Sequence, residues 1–163
     1  MNKNKAVFLD RDGVINKNKN DYVKTIAELE IFPSIEIPIK KLKNNGYLII
    51  VITNQSALNR NLMNIEQLNE IHSNIQNYLS KFNVNIDKFY FCPHKPNENC
   101  HCRKPRNGML IEAIKEFNID PNLSWMIGDM DSDIQAGVSI GCKTIKISNK
   151  INLDFAVDEI LNS

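Results

Sequence analysis

Short apolar runs alternate along this chain with segments in which apolar residues recur every three or four positions. The runs Ala6-Val7-Phe8-Leu9, Tyr47-Leu48-Ile49-Ile50-Val51-Ile52, Phe89-Tyr90-Phe91, Trp125-Met126-Ile127 and Thr144-Ile145-Lys146-Ile147 have the length of buried strands. Gly46, before the second run, reads as a helix stop. Helices are predicted between the runs. In the clearest, over 65–82, Ile65, Leu68, Ile71, Ile75, Leu79 and Phe82 share one face. Asn64 is its expected N-cap, paired with Gln67 at the third helical position. Further helices are predicted over 34–45, where Pro38 limits the start, and over 109–117, 131–139 and 152–161. His72 is expected at the surface of the long helix, Trp125 in the core beside the fourth strand, and Cys142 as a small apolar residue.

Strand–helix alternation predicts an α/β fold, with a mostly parallel sheet between helices on both faces. A length of 163 residues suits one domain, 1–163, with a real core. Hydrophobic residues at 42% and charged residues at 24% are ordinary for a globular protein. A net charge of +1 offers no electrostatic case for nucleic acid. No apolar run approaches the roughly 20 residues that span a bilayer. Met1 to Lys5 lead into too few apolar residues for a signal peptide, so the expected location is cytoplasmic. Nothing points to an obligate partner, and a monomer is the expectation.

In such sheets ligands bind beyond the carboxyl ends of the strands, so the residues there matter most. Asp10-Arg11-Asp12-Gly13 follows the first strand. Two carboxylates so close repel unless a cation lies between them or one is protonated; an ordinary acidic turn is the alternative. Thr53-Asn54-Gln55-Ser56 follows the second and offers uncharged donors that could hold a phosphoryl oxygen, or form a plain polar loop. After the third strand, Cys92, His94, Cys100 and Cys102 are spaced C-x-H-x5-C-x-C within a loop over 92–105. Three thiolates and one imidazole make a closed tetrahedral set, which suits a structural zinc with no position for water. Free thiols or a disulfide are the alternatives, and His101 is a competing ligand expected to face solvent. Arg103 and Lys104 follow the last cysteine, where a clamped loop would present both to a phosphate. Gly128-Asp129-Met130-Asp131-Ser132-Asp133 follows the fourth strand; its carboxylates suit magnesium, with at least one of Asp131 and Asp133 acting as a cap or support.

Taken together and in this order, these residues resemble the haloacid dehalogenase superfamily. The chain is similar to its small zinc-containing branch, which includes heptose-bisphosphate phosphatases and the histidinol-phosphatase domain. The resemblance runs from Val7 to Asn16, through Asp21-Tyr22-Val23, Val51 to Ser56, the zinc loop, Gly108-Met109-Leu110 and Ile127-Gly128-Asp129, to Asp133. It implies a three-layer Rossmann-like fold without a large cap domain, since 13–33 is too short for one and 57–88 is largely filled by one helix. The site would be open, partly roofed by the zinc loop and the Asp21-Tyr22 segment. The resemblance implies Asp10 as nucleophile and Asp12 as general acid and base. Asp10, the main-chain carbonyl of Asp12, and Asp129 would ligate Mg²⁺. Thr53 and Lys104 would steady the phosphoryl group. Asn54, Gln55, Ser56, Arg60, Arg103 and the segment Asn20, Asp21, Tyr22 and Val23 would bind substrate or orient the site.

The implied chemistry is phosphate-monoester hydrolysis through an aspartyl phosphate, with Asp10 ionised and Asp12 initially protonated. Asp21-Tyr22-Val23, Ser56 and Gly108-Met109-Leu110 look like the heptose type, which would feed nucleotide-activated heptose for a surface glycan. Arg60, Arg103 and Arg106 suit a second phosphate on a sugar bisphosphate. The loop departs from the heptose pattern in having Ala57 and Asn61 in place of glycines, and Met130 stands where some heptose enzymes have Lys. Histidinol phosphate is the competing substrate. A non-catalytic domain binding a phosphorylated ligand is a third reading, disfavoured because Asp10, Asp12, Lys104 and Asp129 are all present.

Overall fold

The computed structural model describes residues 2–163. Strands β1 (Lys5–Leu9), β2 (Tyr47–Asn54), β3 (Lys88–Cys92), β4 (Trp125–Gly128) and β5 (Lys143–Lys146) form one sheet in the order β3-β2-β1-β4-β5. Every neighbouring pair is parallel. The predicted fifth strand is displaced by one residue: Lys143 pairs with Trp125, and Ile147 lies past the strand while still donating its N–H to Gly128.

The two-residue repeat splits β1 between two cores. Val7 and Leu9 join α1 (Glu36–Asn44), α2 (Ile65–Ser80) and α5 (Leu153–Leu161) on one face. Ala6 and Phe8 join α3 (Gly108–Phe117) and α4 (Asp131–Ser139) on the other. A strand buried on both faces cannot alternate polar with apolar, which is why its sequence is a continuous apolar run. The result is the three-layer α/β fold expected.

Local signals account for the helix boundaries. Asn64 and Gln67 form the reciprocal capping box that opens α2. Pro38 sits in the first turn of α1, where an amide N–H has no helical partner to lose. α2 ends at Ser80, so Phe82 lies beyond it and is exposed. Trp125 is half-buried, not core: it starts its strand, with the Lys143 ammonium 5.1 Å from its ring centre. His72 is buried, contrary to the expectation of a surface position. It stands four residues after Leu68 and three before Ile75, on the stripe that faces the sheet. Cys142 is buried in an apolar cluster as expected.

Between β1 and α1 the only helical piece is a short 3-10 turn, Ile26–Glu28, and between β2 and α2 the chain makes turns. Neither stretch holds a folded insertion, so among the described residues nothing of cap size covers the carboxyl edge of the sheet. Among the described residues no helix is long and apolar enough to cross a membrane.

Candidate active site

The strand order reverses direction about β1, the arrangement in which a crevice opens beyond the strand ends. Leu9 pairs with Val51 and with Ile127, so the residues that follow in β1, β2 and β4 emerge side by side. This register brings Asp10, Thr53 and Asp129 to one edge, although they are far apart in sequence.

Asp10 is buried. Its Oδ1 accepts the Arg11 N–H at 2.9 Å and the Lys104 ammonium at 2.9 Å. Lys104 is also buried, and spends its other two protons on Asp133 at 2.6 Å and on the Ile52 carbonyl at 2.7 Å. All three protons are thus directed, so the charge is held in one place. Burial alone would lower the Lys104 pKa, but Asp10 and Asp133 outweigh it and hold it above the ordinary value. Burial pushes Asp10 up to about 7; Lys104 pulls against the rise, and Asp133 and Asp12 add to it. Burial also raises Asp129, again with Asp133 adding to it.

Asp10, Asp129 and Asp133 place carboxylate oxygens within 4.8 Å of one another. Asp129 Oδ1 is buried with no hydrogen-bond partner. An orphaned carboxylate oxygen is costly unless a cation meets it. Gly13 has φ +90°, and a Cβ there would overlap the Asp129 carboxylate. The position therefore demands glycine twice over, and the space it keeps free belongs to the acidic cluster. Hard oxygen donors around an unsatisfied oxygen fit a magnesium-type ion. Asp133 lies deeper: its Oδ2 accepts the Met130 N–H and its other oxygen holds Lys104. Asp131 faces solvent and pairs with Lys146.

Asp12 is held differently. Its Oδ1 accepts two N–H groups of Arg11, at 3.1 and 2.9 Å, and one of Asn16 at 2.9 Å, while Oδ2 accepts Gln55 at 3.0 Å. The same Gln55 amide nitrogen reaches the Thr53 hydroxyl at 2.9 Å. Arg11 is fully buried, and a third N–H meets His72 Nε2 at 3.1 Å. Neither Arg11, Asn16 nor His72 was given a role in the site from sequence. Only the apolar stripe around His72 signalled burial; Arg11 has no local signal, because charged side chains are ordinarily exposed.

Asn54 turns toward the main chain of Lys104: its Nδ2 donates to the carbonyl and its Oδ1 accepts the N–H. Ser56 is buried, its hydroxyl 3.5 Å from that of Tyr22, and accepts from Arg60 Nε at 3.3 Å. Tyr22 has φ 72°, a left-handed backbone rare for an aromatic residue, and Arg60 stands 5.9 Å from its ring centre. Not every predicted substrate residue joins this group. Asn20 is exposed, Asp21 is exposed and paired with Lys24, and Val23 is buried in the core.

The zinc-type residues converge. Ligand atoms of Cys92, His94, Cys100 and Cys102 lie within 4.8 Å of one another, with His94 Nδ1 3.3 Å from Cys92 Sγ and 3.2 Å from Cys102 Sγ. A complete set of soft donors with no disulfide fits a tetrahedral ion. His101 is exposed and outside the set. The loop carries the cations with it: Arg103 donates to the His94 carbonyl and Arg106 to the Cys100 carbonyl.

The sequence pattern of the polynucleotide kinase 3 phosphatase family matches residues 5–157. This chain belongs to that family, within the haloacid dehalogenase superfamily of phosphatases. It is 42% identical over 144 residues to a D-glycero-beta-D-manno-heptose-1,7-bisphosphate 7-phosphatase of Helicobacter pylori, covering 88% of this chain and 83% of that protein. It is 37% identical over 146 residues to the enzyme of the same name from Haemophilus influenzae, covering 86% and 79%. A solved D,D-heptose 1,7-bisphosphate phosphatase from B. bronchiseptica, complexed with magnesium and phosphate, superposes with a TM-score of 0.89 at 27% identity, over 97% of this chain and 98% of that one.

Proposed function

We propose that this protein removes the 7-phosphate of D-glycero-D-manno-heptose 1,7-bisphosphate, with Asp10 as nucleophile. The observation that carries the reading is the buried Asp10–Lys104 pair beside the orphaned oxygen of Asp129, in a chain so similar to phosphatases of that name.

Asp10, Asp129 and the main-chain carbonyl of Asp12 would hold Mg²⁺, with Asp133 behind them. When bound, the ion would neutralise charge on the phosphoryl oxygens and the nearby carboxylates. The chain's own residues do the rest. Lys104 is fixed at the nucleophile and offsets the repulsion between a dianionic ester and a carboxylate. Thr53, at the adjacent strand end, offers its hydroxyl to a phosphoryl oxygen. Asp10 attacks phosphorus, the ester bond breaks, and the leaving alkoxide takes its proton from Asp12. Asp12, then ionised, takes a proton from water as that water displaces Asp10 from phosphorus. Arg60, which donates to Ser56, and Arg103 and Arg106, which donate to carbonyls of the cysteine loop, would supply positive charge that suits the second phosphate of a sugar bisphosphate. Zinc in the Cys92, His94, Cys100 and Cys102 set would be structural.

The test is phosphate release in magnesium buffer from heptose 1,7-bisphosphate and histidinol phosphate side by side, with an EDTA control. Release of one phosphate from the heptose, abolished by EDTA, is expected. Preference for histidinol phosphate would overturn the substrate, and EDTA-resistant release would overturn the ion's role.

A further inference from the structure

We propose that Arg11 and His72 are positioning residues that hold Asp12 in place for proton transfer. The inference rests on the reading of Asp12 as acid and base, and adds residues outside the reacting set.

The side chain of Asp12 is 21% exposed, while Arg11 beside it is fully buried. A guanidinium out of water is stable only if its donors are met. Two of its N–H groups go to one oxygen of Asp12. Of the remaining three, one meets an acceptor inside the core, His72 Nε2. Arginine can only donate, so this contact requires a lone pair on His72 Nε2. Burial, with the Arg11 charge adding to it, pushes His72 down to about 3, so the ring is neutral at physiological pH. The ring is itself fixed, stacked on Phe89 at 4.3 Å between ring centres and 15° between planes. A rigid line therefore runs from Phe89 on β3, through His72 on α2 and Arg11, to Asp12.

The line ends asymmetrically. Oδ1 of Asp12 accepts three N–H groups, from Arg11 and Asn16, whereas Oδ2 accepts one, from Gln55. Oδ1 has no room left for a proton, since a carboxylate oxygen offers about two lone pairs. Oδ2 is then the oxygen that carries the transferable proton. The brace fixes which oxygen that is and where it points, and a displaced acid transfers its proton poorly.

A leaving-group series separates bracing from general support of the fold. Values of kcat/KM for aryl phosphates, from phenyl to p-nitrophenyl phosphate, report phosphoryl transfer to Asp10. Phenolate is the more basic leaving group, so weakened proton donation penalises phenyl phosphate more. His72→Phe keeps the stacking and removes the acceptor; His72→Gln restores an acceptor; Asp12→Asn removes the acid. The gap between the two substrates is expected to widen on the order of a hundredfold in Asp12→Asn and about tenfold in His72→Phe, with His72→Gln nearer the parent. A uniform loss on all substrates in His72→Phe, with Asp12→Asn widening the gap, would overturn the brace and leave Asp12 as acid. No widening in Asp12→Asn would overturn the acid reading itself. Arg11→Lys, which cannot reproduce the two-pronged contact, is expected to follow His72→Phe and serves if that variant folds poorly.

Discussion

The side chain of Asn54 grips the main chain of Lys104 on both sides, accepting its N–H at 3.0 Å and donating to its carbonyl at 3.2 Å. An amide side chain thereby ties the end of β2 to the loop that carries the site's central cation. Replacement by aspartate keeps the size but sets a carboxylate oxygen against the Lys104 carbonyl. Asn54→Asp is expected to lower kcat/KM on the order of tenfold to a hundredfold. Unchanged phosphate release would show that the grip is dispensable.

Asp10→Asn is expected to abolish turnover while leaving the fold intact. Lys104 retains Asp133 at 2.6 Å, so its buried charge stays compensated. Loss of at least about a thousandfold is expected, as for removal of a nucleophile in other covalent mechanisms. Most activity surviving in a folded variant would refute the assignment.

Gly13→Ala tests the space beside Asp129. The added methyl meets the carboxylate, and the backbone angle of +90° is itself unfavourable for alanine. Activity should fall and the magnesium concentration for half-maximal activity should rise. A variant with a normal magnesium titration would remove Gly13 from any part in the ion's site.

Zinc in the clustered loop predicts about one equivalent per chain by elemental analysis. Cys100→Ser should lower that content and reduce phosphatase activity, because Arg103 and Lys104 share the loop. Protein that is free of zinc, yet fully active and equally stable, would reject the structural role.

The pH dependence of stability should carry the mark of His72. Its folded pKa is about 3, below the ordinary value near 6.5, because it is buried beside Arg11. The unfolded chain therefore takes up a proton that the folded chain refuses. Stability should fall as pH drops from about 6.5 toward 3, and should be recovered as pH rises again. Denaturant unfolding of His72→Gln, which has no such proton to bind, should show a shallower decline than the parent. Parallel curves would mean that His72 is charged in the folded protein.

The sequence alone determined the layers of this protein and where along the chain its candidate site residues fall. The inner strands β1, β2 and β4 read as unbroken apolar runs because both faces of the sheet are covered there, and helices as three- and four-residue repeats because only one face is; both signals are local. The residues after the strands were legible for the same reason, since a parallel sheet places every strand end on one edge. The spacing from Cys92 to Cys102 likewise fits within a single loop.

Tertiary structure decided what depends on distance across the fold. Arg11 and His72 are 61 positions apart, and nothing near either one shows that a buried cation will meet a neutral ring. Lys104 stands between Asp10 and Asp133 only because β1, the cysteine loop over 92–105 and α4 meet at one edge. Asn54 was expected to bind substrate or orient the site, and that its grip falls on the main chain of Lys104 is decided by the fold, while Trp125, for all its apolar surface, begins its strand and stays half-exposed. Periodicity reports which way a side chain faces; which group waits there is set by the register of strands and the packing of helices, and these come from the whole chain at once.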